Sequence, residues 1–250
     1  MTTTGEQPGA GGANFVTTRW RLILSAGHPN TPESREALEI LCRAYWMPIY
    51  AYARQHGHSP EDAEDLTQAF FNHLLEQNVF GQATPGRGRF RAFLLSSLKH
   101  FMVSEWRKAN TQRHGGGVRL LSLDSLDFQR AEAAHADQAA NTLSPDLIYE
   151  KRWALSLMER ALGRLKAEYR ELGKQALFGL LAGCVWGEEP EGGYGAVARR
   201  LRLTEEAVKS AAYRLRQHGR EILREEVAQT VERPEEVESE LRHLVEVLSR

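Results

Sequence analysis

Apolar residues recur at helical spacing through most of the chain, and no stretch alternates as a half-buried strand requires. A first helix is expected over Glu33–Gln55, with Leu38, Leu41, Cys42, Tyr45, Ile49 and Tyr52 inward. His56-Gly57-His58 breaks it. Ser59-Pro60-Glu61-Asp62 then opens a second helix: Ser59 suits the N-cap, Pro60 the first helical position, and the acids the first turn. Ala63, Leu66, Phe70 and Leu74 make its inner face, and Asn78 to Gly88 reads as a loop. A third helix is expected from about Arg89 to Ala109. From Ser122 to about Thr142 the helical faces weaken and Ala, Asp, Glu, Gln and Asn dominate, the pattern of a flexible acidic linker. Periodicity returns from Pro145 through Trp153, Leu157, Ala161 and Leu165, then from Leu172 to Cys184. After Pro234 one more amphipathic helix is expected, with Val237, Leu241, Leu244, Val245 and Leu248 inward. The expectation is an all-α protein of two small helical domains. A disordered tail (1–16) leads into the first domain (17–117), a linker (118–144), the second domain (145–232) and a helical extension (233–250).

Gly195 to Gln217 reads as two short helices joined by a tight turn. Val197, Ala198 and Leu201 give the first a narrow apolar face, and Leu203 in the turn is expected to plug the angle between the helices. Thr204 is a good N-cap, followed by Glu205 and Glu206 where negative charge suits a helix start. Val208, Ala211, Ala212 and Leu215 fall on one side of the second helix. Glu206, Lys209, Ser210, Tyr213, Arg216 and Gln217 fall on the other, offering donors and an aromatic at a spacing that suits a major groove. Tyr194 to Glu225 holds eight Lys/Arg against four Glu, a local basic surplus on a chain of formal charge −1. This is the pattern of a DNA-reading helix-turn-helix.

Charge is segregated elsewhere too. Between Gln55 and Gly86 there are five acids and no Lys or Arg; between Arg87 and Arg119 there are eight Lys/Arg and one acid, Glu105. The basic segment bears Phe90, Phe93, Phe101 and Trp106, and basic charge interleaved with aromatics suits backbone neutralisation with stacking on unpaired bases. Phe93 is expected to be core. No nucleophile elbow, P-loop or glycine-rich phosphate cradle is present, so an enzyme is the weak reading. Asp62, Glu64 and Asp65 with His56 or His58 do not converge as metal ligands, so neither metal nor cofactor is expected. Cys42 and Cys184 lack metal-ligand spacing and fit a reducing cytoplasm. The N-terminus lacks a signal-peptide pattern, and the longest uncharged apolar run, Ala176 to Trp186, is too short to span a bilayer. A cytoplasmic protein without membrane association is expected.

The order PEDAEDLTQAFFNHLLE, GRFRAFLLSSLKHFMVSEWRKA, linker, and AVKSAAYRLR resembles a bacterial RNA polymerase sigma factor of the sigma-70 family, in its small extracytoplasmic-function (ECF) branch. The resemblance covers about Thr17 to Leu248. It implies a sigma2-like N-terminal bundle, a sigma4-like C-terminal helix-turn-helix domain, and no enzymatic activity. Asp62, Glu64, Asp65, Leu66 and Gln68 match the family helix that docks on the clamp coiled coil of the largest polymerase subunit. Phe80 to Arg89 matches the loop that holds a flipped promoter base. Arg87, Arg89, Arg91, Lys99, His100, Val103, Trp106, Arg107 and Lys108 fall on the segment that reads and melts the −10 element. Arg199, Arg200, Thr204, Glu206, Lys209, Ser210, Tyr213 and Arg214 fall on the part that reads the −35 element. The acidic linker matches the segment that threads toward the RNA channel. The implied partners are core RNA polymerase at its clamp coiled coil and flap region, promoter DNA, and an anti-sigma factor or other regulator. His100 stands where the family usually has Asn, and Gly187 to Gly193 is a polar insertion.

The expected function is therefore promoter recognition and DNA melting as a dissociable polymerase subunit. The alternative is a helix-turn-helix repressor or activator that never joins polymerase and dimerises on palindromic sites. A third reading, a helical scaffold or hydrolase, predicts no salt-dependent DNA binding. The extension beyond Pro234 is expected to pack on the second domain or to block DNA until polymerase binds.

Overall fold

The structure is a computed structural model, described over residues 32–77, 89–111, 143–231 and 233–250. The described residues are all-α: eight α-helices and two short 3-10 turns. They are α1 (Pro32–Gln55), α2 (Pro60–Glu76), α3 (Phe90–Thr111), α4 (Pro145–Glu171), α5 (Gln175–Leu181), α6 (Gly193–Leu201), α7 (Glu205–Ala228) and α8 (Val237–Leu248). The 3-10 turns, Ala182–Trp186 and Pro234–Glu236, precede α6 and α8. The expected tail 1–16, nearly all of the linker 118–144, and the loop bearing Arg87 lie outside the described residues, as do the side chains of Leu38 and Leu41.

Capping sets several of these boundaries. Ser59 Oγ accepts from the Asp62 amide at 3.1 Å, with Pro60 at the first helical position of α2. Ser144 caps α4 through the Leu147 amide at 3.3 Å, and Thr204 caps α7 through the Ala207 amide at 3.2 Å. At the end of α6, Arg202 adopts φ 55° and the Leu203 amide donates to the Ala198 carbonyl at 2.9 Å, a left-handed C-cap in a position glycine usually fills.

Two apolar cores form, and α4 runs through both. The first draws Tyr45, Ile49 and Tyr52 from α1, Phe70 and Leu74 from α2, and Phe90, Leu94, Leu98 and Phe101 from α3. Tyr149, Trp153 and Leu157 of α4 complete it, together with Val237, Leu244 and Val247 of α8. The second draws Ala161 and Leu165 from the other half of α4, then Phe178, Cys184, Val185, Val197, Val208, Ala212, Leu215 and Ile222. A helix of 27 residues is about 40 Å long, enough to place its two halves in separate clusters.

Three expectations change on inspection of the packing. Leu203 is 47% exposed and plugs nothing; the α6–α7 angle is filled by Val197 and Ala198 against Val208, Ala211 and Ala212. In α8, Val245 is 61% exposed, while Val247 is buried and takes the place expected for it. The stripe follows 237, 240, 244 and 247 at three- and four-residue steps, which turns 245 outward. Phe90 and Phe101 are core residues, with Phe90 edge-on to Tyr45 and Phe101 packed on Phe70, so neither ring can stack on a base.

Candidate nucleic-acid interface

Three surfaces carry the residues that the sequence singles out. On α2, Glu61, Asp62 and Asp65 are exposed, and Glu64 and Leu66 are half-buried. Gln68 is buried, and its amide donates to Glu64 at 3.2 Å. Asp62 accepts from the Ser59 hydroxyl at 2.9 Å. The outward acids are thus held on a helix whose opposite side, Ala63, Thr67, Phe70, Phe71 and Leu74, is fully packed.

On α3 the candidate residues divide by position. At the far end, His100, Val103, Ser104, Trp106 and Arg107 all face solvent, and Trp106 is 68% exposed. A tryptophan left this open supplies a stacking face that no group among the described residues covers. At the near end the cations are engaged. Arg89 Nη1 pairs with Glu240 at 2.6 Å, and its Nη2 donates to the Ser239 hydroxyl at 3.0 Å. Arg91 is buried; its Nε donates to Glu240 at 2.7 Å and its Nη1 pairs with Glu150. The Arg91 guanidinium also lies 4.8 Å from the Trp153 ring centroid, and its backbone carbonyl accepts from the Tyr149 hydroxyl at 3.0 Å. Burial pulls this guanidinium down, but hydrogen bonds and charge from Glu240 and Glu150 outweigh it and hold it above its ordinary value. Lys99 pairs with Asp146 at 2.6 Å on a half-open surface. Arg87 lies outside the described residues, and Lys108 lies on α3 with its side chain outside them.

The third surface is formed by α6 and α7. Arg199, Arg200, Thr204, Glu206, Lys209, Ser210, Tyr213 and Arg214 are all exposed, with Tyr213 at 61%. Ala211 and Ala212 point inward against α6, so the small residues serve the close helix crossing and the larger polar residues remain outside. Lys209 pairs with Glu205 at 2.7 Å, one turn away, and that hydrogen bond raises its ammonium above the ordinary value. Arg216 turns away from this face, its Nε donating to the Cys184 carbonyl at 2.9 Å.

Sequence reasoning did not find the acids that meet α3. Glu240 is 1% exposed at the centre of the apolar face of α8, and Glu150 accepts from or pairs with both Arg91 and His243, the latter at 3.0 Å. The available signal was position: Glu240 sits three residues after Val237 and four before Leu244, on the apolar stripe itself. Among the described residues no group of three or more His, Cys, Asp or Glu could hold a metal ion, and no helix is long and apolar enough to cross a membrane.

Residues 41–112 match the family model for sigma-70 region 2. No curated protein and no solved structure matches the chain. The matched segment holds most of α1 and all of α2 and α3, so it contains both the acidic outer face and the exposed Trp106. The match supports a sigma-70 family sigma factor, with core RNA polymerase and promoter DNA as its partners in transcription initiation.

Proposed function

We propose that the protein is an ECF-type sigma factor of the cytoplasm that lends core polymerase its promoter specificity and opens the −10 region. In this reading the acids of α2, Asp62, Glu64 and Asp65, meet the basic clamp coiled coil, where complementary charge speeds encounter. Val103 and Trp106 capture unstacked bases, with His100 and Arg107 beside them. The α6–α7 pair acts as a helix-turn-helix on the −35 element, with Lys209, Ser210, Tyr213 and Arg214 toward the groove. The two DNA-binding ends raise each other's effective concentration on a promoter.

The observation that carries this reading is the exposure of Trp106 within the region 2 match, on a helix whose Phe90 and Phe101 are buried. Run-off transcription with core polymerase and genomic fragments tests it. Addition of the protein is expected to create specific start sites, and no new start site would defeat the reading. Asp62→Ala/Asp65→Ala is expected to abolish core binding. Unchanged binding would favour a regulator that acts without joining polymerase.

A further inference from the structure

The helix α8 lies beyond the region 2 match, yet it buries a carboxylate against α3. Glu240 is 1% exposed among Val237, Leu244 and Val247, where an apolar side chain would complete the face without the cost of desolvating a charge. What the carboxylate gains there is two guanidiniums. Arg89 gives it 2.6 Å and Arg91 gives it 2.7 Å. Both are arginines on the helix that bears the exposed Trp106 or at its start. A carboxylate and a phosphodiester satisfy a guanidinium in the same way, through paired charged oxygens. Glu240 thus gives these donors the kind of partner that a nucleic-acid phosphate would give them.

The two arginines are not held equally. Among the described residues, both side-chain contacts of Arg89, the Glu240 pair and the Ser239 hydroxyl, belong to α8. Arg91 keeps Glu150 and the Trp153 ring when α8 is absent. Nor are the two covering helices equally fixed. The α4 residues Tyr149, Trp153 and Leu157 are central to the first core, whereas α8 adds three buried valine and leucine side chains and the surface pairs His243–Glu150 and Glu238–Arg224. Of the two arginines, the one that release of α8 would free is Arg89.

We propose that α8 is an intramolecular latch: Glu240 occupies Arg89 and Arg91 in the free protein, and nucleic-acid phosphate displaces it as α8 lifts from α3. The inference rests on the proposed role of α3 in promoter DNA binding.

Binding of a fluorescein-labelled single-stranded DNA oligonucleotide of mixed sequence, measured by anisotropy over a salt series, tests this. The chains compared are the full protein, Glu240→Gln, a chain ending at residue 232, and Glu238→Gln. Glu238 is exposed on the same helix and pairs with Arg224 on α7, so its variant makes the same charge change outside the latch. Glu240→Gln and the shortened chain are expected to bind between about 5- and 150-fold more tightly, the usual range of coupling between two sites. Their log–log salt slopes should steepen by about 0.7 for the one phosphate that Arg89 gains. Glu238→Gln should match the full protein. Equal binding by all four chains overturns the latch and leaves the promoter-binding role standing; absence of binding by every chain overturns both. Hydrogen exchange of the unaltered protein covers the case in which a variant does not fold. Saturating oligonucleotide should speed exchange of the 237–248 amides, and unchanged protection there overturns the latch.

Discussion

Gly219→Ala tests how closely α7 approaches the rest of the second core. Gly219 is buried in the middle of α7, where glycine costs about 1 kcal/mol of helix propensity relative to alanine. On propensity alone the substitution would stabilise the protein. Packing decides otherwise. A Cβ built on Gly219 would lie 2.6 Å from Val185 Cγ1 and 3.5 Å from Leu165 Cδ2. Val185 sits in the 3-10 turn Ala182–Trp186, is buried, and has a β-branched side chain with little rotamer freedom. Relieving the overlap requires that turn to move away from α7 or Val185 to leave its rotamer, and such overpacking costs about 1–3 kcal/mol. The expected net effect is a loss of up to about 2 kcal/mol, in place of the gain of about 1 kcal/mol that propensity alone would give, read in urea melts followed by circular dichroism. For a chain of this length that is a fall in Tm of up to about 8 °C. Val185→Ala alone should cost about 2 kcal/mol by removing buried methyl groups. In the double variant the methyl added at position 219 occupies part of the space vacated, so the two losses should fall short of additivity by about 1 kcal/mol. A Gly219→Ala protein about 1 kcal/mol more stable than the parent would refute the reasoning, since Val185 would then yield freely. Full additivity would show that the two side chains do not share the space.

Other perturbations probe the charged contacts and the open face. Arg91→Met keeps the side chain's bulk but leaves Glu240 to Arg89 and Glu150 to His243, so urea melts should show a loss of about 3 kcal/mol, smaller when Glu240→Gln is added; equal losses in both would show that the pair is not the cause. His218 bridges α7 to Glu168 of α4, with a longer contact to Glu221, and these carboxylates raise its imidazolium above the ordinary value of 6.5. A raised folded value means that the stabilisation is full below 6.5 and fades as pH climbs through the folded value. The stability difference between the parent and His218→Gln should therefore shrink on going from acid to alkaline pH. It should stay under about 1 kcal/mol because both partners are half-exposed and screened, and a difference flat with pH would contradict it. Trp106→Ala should leave urea stability within about 0.5 kcal/mol. It should also weaken single-stranded DNA binding by about 1–3 kcal/mol for one lost stacking partner, and unchanged binding would remove Trp106 from the interface.

Much of this was legible in the residues because the physics is local. Ser59 and Thr204 cap the helices they precede, and each needs only an amide two or three residues on. Tyr45, Ile49, Phe70 and Leu74 point inward because helical spacing assigns them one face, whatever they pack against. The same reasoning placed Ala211 and Ala212 inside α7 with Lys209, Ser210 and Tyr213 outside. It failed where two faces were plausible for one residue. Basic neighbours suggested a stacking role for Phe90 and Phe101, but the two rings lie on the inner side of α3 and only Trp106 stands clear. Leu203 was assigned to the inter-helix angle by its chemistry, yet the left-handed turn at Arg202 directs it to solvent. Glu240 stands on the apolar stripe of α8, but its arginine partners lie about 150 residues earlier in the chain, so the pairing itself was not legible.

The sequence by itself determined the all-α class, the start of each capped helix, the separation of acidic from basic segments, and the two polar surfaces on α2 and on α6–α7. These depend on interactions spanning a few residues, which the order of side chains specifies directly. Only the tertiary structure decided that α4 serves two cores, that Gly219 is pressed against Val185, and that the last helix sets a carboxylate on Arg89 and Arg91. Those facts depend on which distant faces meet. Burial and charge pairing are properties of the meeting, and neither side of it contains them alone.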